Sequence, residues 1–429
     1  MTDDPNAPHR AAMIDLFARA VIAVSAEAAM PDELPATPSG RTAIIALGKA
    51  AVPMMRVALR RSSGPVTGLV VTRYGHLDSE ASFGPDIEVI ESGHPVPDDK
   101  SLDAANHALR LATALKAQDR LLLLLSGGGS ALASAPAGGV SLEDKQAVTR
   151  SLLRSGATIA EINTVRKHLS RFKGGRLAQA AGPAKVTTWI ISDIPGDDPS
   201  FVASAPTVAD QTTLQTARDI VAEYGVAVPP AVDQALLDPA NETPTPDSLG
   251  LAGGEVRIIA RARDALSAAA EAAEAKGFVI TNLGDRLQAE SRHLGASHAG
   301  LARRLASDGR RRAIISGGET TVTVVNPEGR GGRNLEYLLG LAIGLDGAPG
   351  ICALACDTDG IDGTEDAAGG VIFPDTLVRA RALGLDPVEH LRTNRSHAFF
   401  EALGDLVVTG PTLTNVNDFR VILIDGQED

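Results

Sequence analysis

The sequence predicts an α/β protein of two domains, the first built on a doubly wound parallel sheet. Three observations lead there. Short runs that are apolar throughout, of which LLLLL at 121–125 is the purest, read as strands buried on both faces, as parallel strands are. Most of these runs end in turn-forming residues and lead on to helical patterns, the alternation of crossover units. Finally, 429 residues exceed what one hydrophobic core usually supports, so two domains are expected.

Composition narrows the function. Charged residues make up 22% and hydrophobic residues 44%, an ordinary globular balance, whereas 3% aromatic residues leave few rings to stack on bases. A formal net charge of -13 opposes a phosphate backbone, and the one basic-looking run is 166–176, so nucleic acid is disfavoured as a partner. Cys352 and Cys356 form no CxxC and have no clustered histidines, which reads as buried, reduced thiols in a reducing compartment. Residues 1–10 lack the basic and apolar regions of a signal peptide, and no apolar run approaches the ~20 residues of a membrane span. A soluble, cytoplasmic protein is expected.

Residues 11–29 carry Ile14, Phe17, Ala18, Val21 and Ile22 at helical spacing, a packing helix, and 31–39 is a breaker-rich connection. A strand at 41–47 runs into Gly48-Lys49-Ala50-Ala51, which puts Lys49 at a strand-to-helix junction, the ligand side of an open α/β sheet. This is no P-loop, because Ala50 follows the lysine and no glycine stands five residues before Gly48. Strands at 68–72 and 87–90 end in polar turns, the second containing His94. A helix over 101–116 leads to the 121–125 strand, and Ser126, Gly127, Gly128, Gly129 and Ser130 follow. The glycines let backbone approach a ligand and the amides entering the next helix could point at phosphate or carboxylate; an idle glycine-rich turn is the alternative.

Helices over 142–155 and 159–170 come next, the second crowded with Asn163, Arg166, Lys167 and His168. These are too many polar groups for a simple packing face, although a solvated face is the plainer alternative. A strand at 186–191 ends in a loop with Asp193, Asp197 and Asp198, carboxylates that suit either a metal ion or a turn. Residues 229–250, rich in Pro, Asp, Asn, Thr and Ser, are the linker candidate.

The second half begins with a strand at 256–259, an alanine-rich helix over 262–276, a strand at 278–282 and a helix over 289–308. A strand at 313–315 closes in Ser316, Gly317, Gly318, Glu319, Thr320 and Thr321, so that AIISGGETT echoes LLLLLSGGGS. A glycine-rich turn at 329–334 carries Arg330, Arg333 and Asn334 into a helix over 335–343. The strand at 351–356 ends in an acidic run with Asp357 and Asp359, residues 410–418 form a polar turn with Asn417, and 420–424 is the last strand.

The strand ends thus collect Lys49, the Ser126 to Gly129 backbone, Asp193, Glu319, Arg333, Asp357 and Asn417. Fixed cations, carboxylates and bare backbone are what phosphoryl transfer needs: amides and cations around phosphates, carboxylates for Mg²⁺, and an alcohol positioned in line. Asp193, Asp197, Glu319, Asp357 and Asp359 are the metal or base candidates, with capping and turn formation as their alternatives. Hydrolase readings lack a G-x-S-x-G elbow or HExxH, and hydride transfer lacks a G-x-G-x-x-G after any strand, since Leu132 stands where a third glycine would follow Gly127 and Gly129.

Eight ordered segments, ALGKAA (46–51), ESGHPVPD (91–98), LSGGGSAL (125–132), EINTVRKHLSRFKGGRLA (161–178), SDIPGDD (192–198), SGGETTV (316–322), GGRNLEYLL (331–339) and DTDGIDGTEDAAGG (357–370), span almost the whole chain. Through them the chain resembles the glycerate 2-kinase family that carries the MOFRL domain. The motif behind that name is replaced here by residues 331–335, with Leu335 where the family usually has Gln, a change at a helix start. The resemblance implies an N-terminal Rossmann-like domain (1–245), a smaller C-terminal α/β MOFRL domain (250–429) whose last strand is free to return to the first, and an active site in the cleft. It implies ATP- and Mg²⁺-dependent (or other divalent cation-dependent) phosphorylation of D-glycerate at the 2-hydroxyl, with Lys49 and Arg333 catalytic. Asp193 is taken as a third catalytic group, and Ser126, Asn163, Arg166, Lys167, Arg330 and Asn334 as substrate contacts. Gly127, Gly128, Gly129, Ser130, Gly317, Gly318, Thr320 and Asn417 are the expected nucleotide contacts, and Asp197, Glu319, Asp357 and Asp359 the metal candidates. Partners would be small molecules, with neither nucleic acid nor membrane, and a homodimer is compatible. Two rival readings are an NADH-dependent hydroxypyruvate reductase, a label some relatives carry, and a non-catalytic sensor of organic acids or nucleotides.

Overall fold

The computed structural model describes residues 5–34, 39–77, 82–249, 254–363 and 365–426. Parts of the 31–39 connection, the end of the linker candidate at Gly250 and Thr364 of the acidic run therefore lie outside the described residues. Contacts divide the chain into a unit of residues 29–259 and a unit of residues 260–429 with 1–28.

The 29–259 unit is built on six strands, β1 (Thr42–Leu47), β2 (Val66–Arg73), β3 (Ile87–Ser92), β4 (Arg120–Leu125), β5 (Lys185–Ile191) and β6 (Glu255–Ala260), in the order β3-β2-β1-β4-β5-β6. The pairs among β1 to β5 are parallel, and Leu47, Val71, Leu125 and Ile190 lie in one register row, so these strands end together. Every residue of β1 and β4 is buried, as their apolar sequences require. The chain order reverses between β1 and β4. That is the switch point at which open α/β sheets leave a crevice beyond the strand ends, and the Lys49 turn and the glycine loop both start there.

Four helices, Leu142–Ser155, Ile159–His168, Leu214–Glu223 and Pro230–Leu237, enclose a core of their own that includes Val148, Leu152, Ile162, Val165, Leu214 and Ala217. The first part of the linker candidate, helix Pro230–Leu237, packs into this core. Val232, Ala235 and Leu236 recur at helical spacing and are buried, and burying such a Val or Leu side chain contributes about 1.5–3 kcal/mol, which overrides a turn-rich composition. Likewise the strand at 256–259 does not open a new sheet; it is β6, at the edge of the first.

The other unit carries β7 (Val279–Asn282), β8 (Arg312–Gly318), β9 (Ile351–Asp357), β10 (Gly369–Ile372), β11 (Leu406–Val407) and β12 (Asp418–Ile424), ordered β11-β10-β9-β12-β8-β7. This sheet is mixed: the last strand, β12, lies in its middle, antiparallel to β8 and β9, while β7 and β8 run parallel. Helix Ala7–Ala23 belongs to this unit and stacks Phe17 on Phe419, ring centres 5.8 Å apart. Helices Ser291–Ala306 and Arg333–Leu345 meet backbone to backbone, since a Cβ at Gly295 would stand 2.2 Å from the Tyr337 carbonyl oxygen. Cys352 and Cys356 are buried free thiols on β9, whose pKa values burial pushes up. No helix among the described residues is long and apolar enough to cross a membrane.

Candidate active site

At the end of β1, Gly48 takes φ +128°, and a Cβ there would fall 2.3 Å from Ser126 Oγ. Only glycine fits. The backbone of Lys49 then donates to the Gly127 carbonyl at 3.0 Å, and Ala50 N–H donates to Ser126 Oγ at 2.9 Å. The lysine turn and the glycine loop are thus one hydrogen-bonded assembly across the switch point, and the fully buried Ser126 hydroxyl serves it from within.

His94 packs on the loop: a Cβ at Gly128 would meet its Cδ2 at 3.0 Å. Burial, then the charges of Lys49 and Arg73, lower its pKa to about 4; for His76 the causes are burial, then Arg73 and Lys49, with the same result. At neutral pH both imidazoles are uncharged, so the positive potential of Lys49 and Arg73 faces no added cation. His76 had no role in the sequence reading, because one histidine in a turn carries no pattern.

From Ser130 a polar chain continues. Arg166 Nη2 donates to Ser130 Oγ at 2.7 Å, Ser130 Oγ and Ser204 Oγ are 2.8 Å apart, and Ser204 Oγ donates to Asn163 Oδ1 at 3.2 Å. Residues Ala203, Ser204 and Ala205 all hold positive φ, a costly conformation for non-glycine residues. Gly174 and Gly175 N–H groups bond the carbonyls of Ser204 and Ala205 at 3.1 and 2.8 Å and fix this run. Nothing in FVASAPT announces it. Lys167 is paired instead with Asp210 at 3.4 Å, both buried, and Lys173 is buried as well, so the basic run at 166–176 is largely an interior feature rather than a surface stripe. Asp193 and Asp197 stand partly exposed on the loop after β5, where Asp197 has φ +58° and donates its N–H to the Ile194 carbonyl at 3.0 Å.

In the other unit Arg333, at the start of its helix, is held by three carboxylates: Nε to Asp418 Oδ1 at 2.7 Å, Nη2 to Asp357 Oδ2 at 2.7 Å and Nη1 to Glu319 Oε1 at 3.0 Å. Burial opposes its charge, but Asp418, Asp357 and Glu319 outweigh that and hold the guanidinium protonated. Asn334 Nδ2 donates to Asp418 Oδ1 at 2.9 Å. Beneath this group, Asp362 accepts from the N–H groups of Asn334 and Leu335 at 3.1 and 3.0 Å, capping the Arg333–Leu345 helix from outside its own segment. Gly332 permits it, because a Cβ there would stand 2.2 Å from Asp362 Cγ. Burial, then the Asp418 and Asp357 charges, raise the Asp362 pKa to about 7 against the pull of those N–H groups. Asp362 and Asp418 were visible only as members of acidic or polar runs.

The remaining expected residues have local engagements. Glu319 and Asp357 bind Arg333, and Asp359 accepts from Ile361 N–H at 2.9 Å in a turn of its own. Among the described residues no group of three or more His, Cys, Asp or Glu side chains is arranged to hold a metal ion. The second Ser-Gly-Gly is part of β8 and enters no helix; Gly318, at φ +109°, is required because a Cβ would stand 2.3 Å from the Leu287 carbonyl oxygen. Gly317 accepts from Arg420 Nη1 at 3.0 Å and Thr320 accepts from Ser291 Oγ at 2.8 Å. Asn417, at φ +68°, accepts from Thr358 Oγ1 at 2.6 Å through its carbonyl. Arg330 is exposed and paired with Glu365, its Nε donating at 3.0 Å.

Comparison with known proteins covers both units. Residues 12–237 match the family model described as a domain of unknown function (DUF4147), and residues 312–418 match the MOFRL family. The chain is 49% identical over 417 residues to an Agrobacterium vitis protein named "Putative hydroxypyruvate reductase", covering 95% of this chain and 93% of that one. It is 39% identical over 418 residues to the D-glycerate 2-kinase of Thermotoga maritima, covering 96% and 97% of the two chains. A crystal structure of glycerate kinase from Thermotoga maritima superposes with a TM-score of 0.87 at 38% identity, covering 97% of this chain and 99% of the other.

Proposed function

The chain belongs to the glycerate 2-kinase family with the MOFRL domain, and from that premise we propose that it transfers the γ-phosphoryl group of ATP to the 2-hydroxyl of D-glycerate, giving 2-phosphoglycerate and ADP. The observation that carries the reading is the bonding of the Lys49 turn to the glycine loop at the switch point of the parallel sheet. Backbone and a fixed cation meet there where an open α/β sheet takes its ligand, and phosphoryl transfer depends almost entirely on such positioning and charge. In this reading Gly127 to Ser130 lie along the phosphates, and Lys49 and Arg333 neutralise charge on the transferring group. Three carboxylates keep Arg333 charged and oriented before substrate arrives.

A divalent ion fits this donor set in one form. Mg²⁺ usually takes one or two carboxylates together with substrate phosphates, so a preformed cage is not needed. Asp197, on the partly exposed loop after β5 and so beyond the same strand ends as the Lys49 turn, would hold the ion, and Asp193 on the same loop would orient the acceptor hydroxyl. When bound, the ion neutralises phosphate charge.

The test is ADP release with D-glycerate and a panel of small hydroxy acids, with the phosphorylated position read by NMR. ADP formation with D-glycerate and a 2-phosphorylated product is expected. NADH oxidation with hydroxypyruvate and no ADP release with glycerate would replace this reading with the reductase one, for which the chain lacks the dinucleotide glycine pattern after any strand.

A further inference from the structure

Within the 29–259 unit a cavity of about 320 Å³ lies among the 95–97 turn, Ser130, Ser134 and the helices Leu142–Ser155 and Ile159–His168, which contribute Lys145 and Arg166 to its wall. Its chemistry is one-sided. Lys145 is only 5% exposed, and its ammonium has no hydrogen-bond partner among the described residues. Arg166 Nη2 donates to Ser130 Oγ at 2.7 Å, and Lys173 Nζ donates to the carbonyls of Ser130 and Ala133 at 2.7 and 3.0 Å. The three cations are close enough that Arg166 lowers the pKa of Lys145 and both act on Lys173, in each case behind the larger effect of burial. Among the described residues none of the three has a carboxylate partner, and no acidic side chain lines the cavity.

A protein rarely buries an ammonium with neither hydrogen bonds nor a counter-charge, because desolvation penalises the charge; Lys173 has its two carbonyls, and Lys145 has neither among the described residues. Lys167, on the same helix as Arg166, has its buried partner in Asp210; Lys145 has none. An incoming anion would supply the missing counter-charge. The volume is at the small end for ligand sites, suited to an acid of a few carbons rather than a nucleotide. The wall is shared with the glycine loop: Ser130 follows Gly129 directly, and His94, packed on Gly128, precedes Pro95 of the lining.

We propose that this cavity receives the carboxylate of a short 2-hydroxy acid, with Lys145 and Arg166 as its ligands and Ser130 as the group linking it to the phosphate loop. The assignment rests on the kinase reading and adds to it the residues that select an acid over an uncharged polyol.

The test uses the full chain. Calorimetric titration with D-glycerate, glycerol and inorganic phosphate is run on the wild type, on Lys145→Met and on Gln146→Glu, which places a carboxylate on the same wall, together with steady-state kinetics. The wild type is expected to bind D-glycerate and not glycerol. Both variants should raise Kd and KM for D-glycerate by roughly 10- to 100-fold, the loss of one charge-assisted contact, with KM for ATP unchanged and kcat within about threefold. Lys145→Arg should keep most of the affinity. Lys145→Met removes an unpaired buried charge and should fold, and Gln146→Glu decides the matter if it does not. An unchanged KM and Kd for D-glycerate in the variants would overturn the proposal, as would Lys145-dependent binding of inorganic phosphate without any of D-glycerate. If the wild type releases no ADP with glycerate, the kinase reading falls, while the titrations still decide whether the cavity holds the acid.

Discussion

Arg333 and Asp418 are joined by a 2.7 Å bond from Nε to Oδ1, and the same carboxylate is bound by Asn334 and by the buried Arg420. Asp418 is thus the hub that fixes the proposed catalytic arginine. Asp418→Asn should leave the buried Arg420 and the partly buried Arg333 short of a charge and lower stability by about 3–5 kcal/mol, read by urea unfolding. Asp357→Asn, which leaves the Asp418 bond in place, should cost less stability. An Asp418→Asn protein as stable as the wild type would refute the hub.

The bond that ties Lys49 to the glycine loop is made by its backbone N–H, which alanine also supplies, so the substitution keeps that bond. Lys49→Ala should lower kcat by about 10²-fold or more while stability stays within about 1 kcal/mol of the wild type. Retained turnover in ADP release would remove Lys49 from the proposed mechanism.

Gly48 makes the converse prediction. Gly48→Ala places a methyl against Ser126 Oγ in a backbone region L-residues avoid, so stability should fall by about 1–3 kcal/mol and turnover should fall with it, since the turn carries Lys49. Thermal unfolding and ADP release on the same preparation check both.

What could be read from the sequence was what is local. LLLLL has no solvent-facing position, and β4 is buried at every residue. The position of Lys49 at a strand-to-helix junction needed only the apolar run before it and the helical pattern after it. Lys145 was not legible: in LEDKQAVTR it looks like any helix-surface lysine, and it is the 95–97 turn and Arg166 from other segments that enclose it. Asp362 looked like one carboxylate among several, because its role is to cap a helix that begins 29 residues earlier in the chain. The setting of the second Ser-Gly-Gly was hidden for the same reason. Gly318 answers to the Leu287 backbone, which a nine-residue echo cannot reveal.

The dependence of stability on pH should separate two buried classes of group. His76, His94 and His298 have pKa values lowered to about 4, with burial as the first cause of each. Between about pH 4 and the unfolded value of 6.5 the unfolded chain binds their protons and the folded chain does not, so their contribution is complete above 6.5 and is lost as pH falls. Asp362 acts in the opposite sense: with its pKa raised to about 7, the folded chain keeps a proton that the unfolded chain releases near 3.8, and stability falls as pH rises across that window. Three imidazoles against two carboxyls, Asp362 and Glu336, whose pKa burial also raises, give a net rise in stability from pH 4 to 6.5. Asp362→Asn should steepen that rise, and His298→Asn, which removes the imidazole bonded to Tyr337 at 2.8 Å, should flatten it. Urea unfolding at half-unit pH steps on the three proteins reads both slopes; a steeper rise in His298→Asn, or a flatter one in Asp362→Asn, would refute the assignment of these groups.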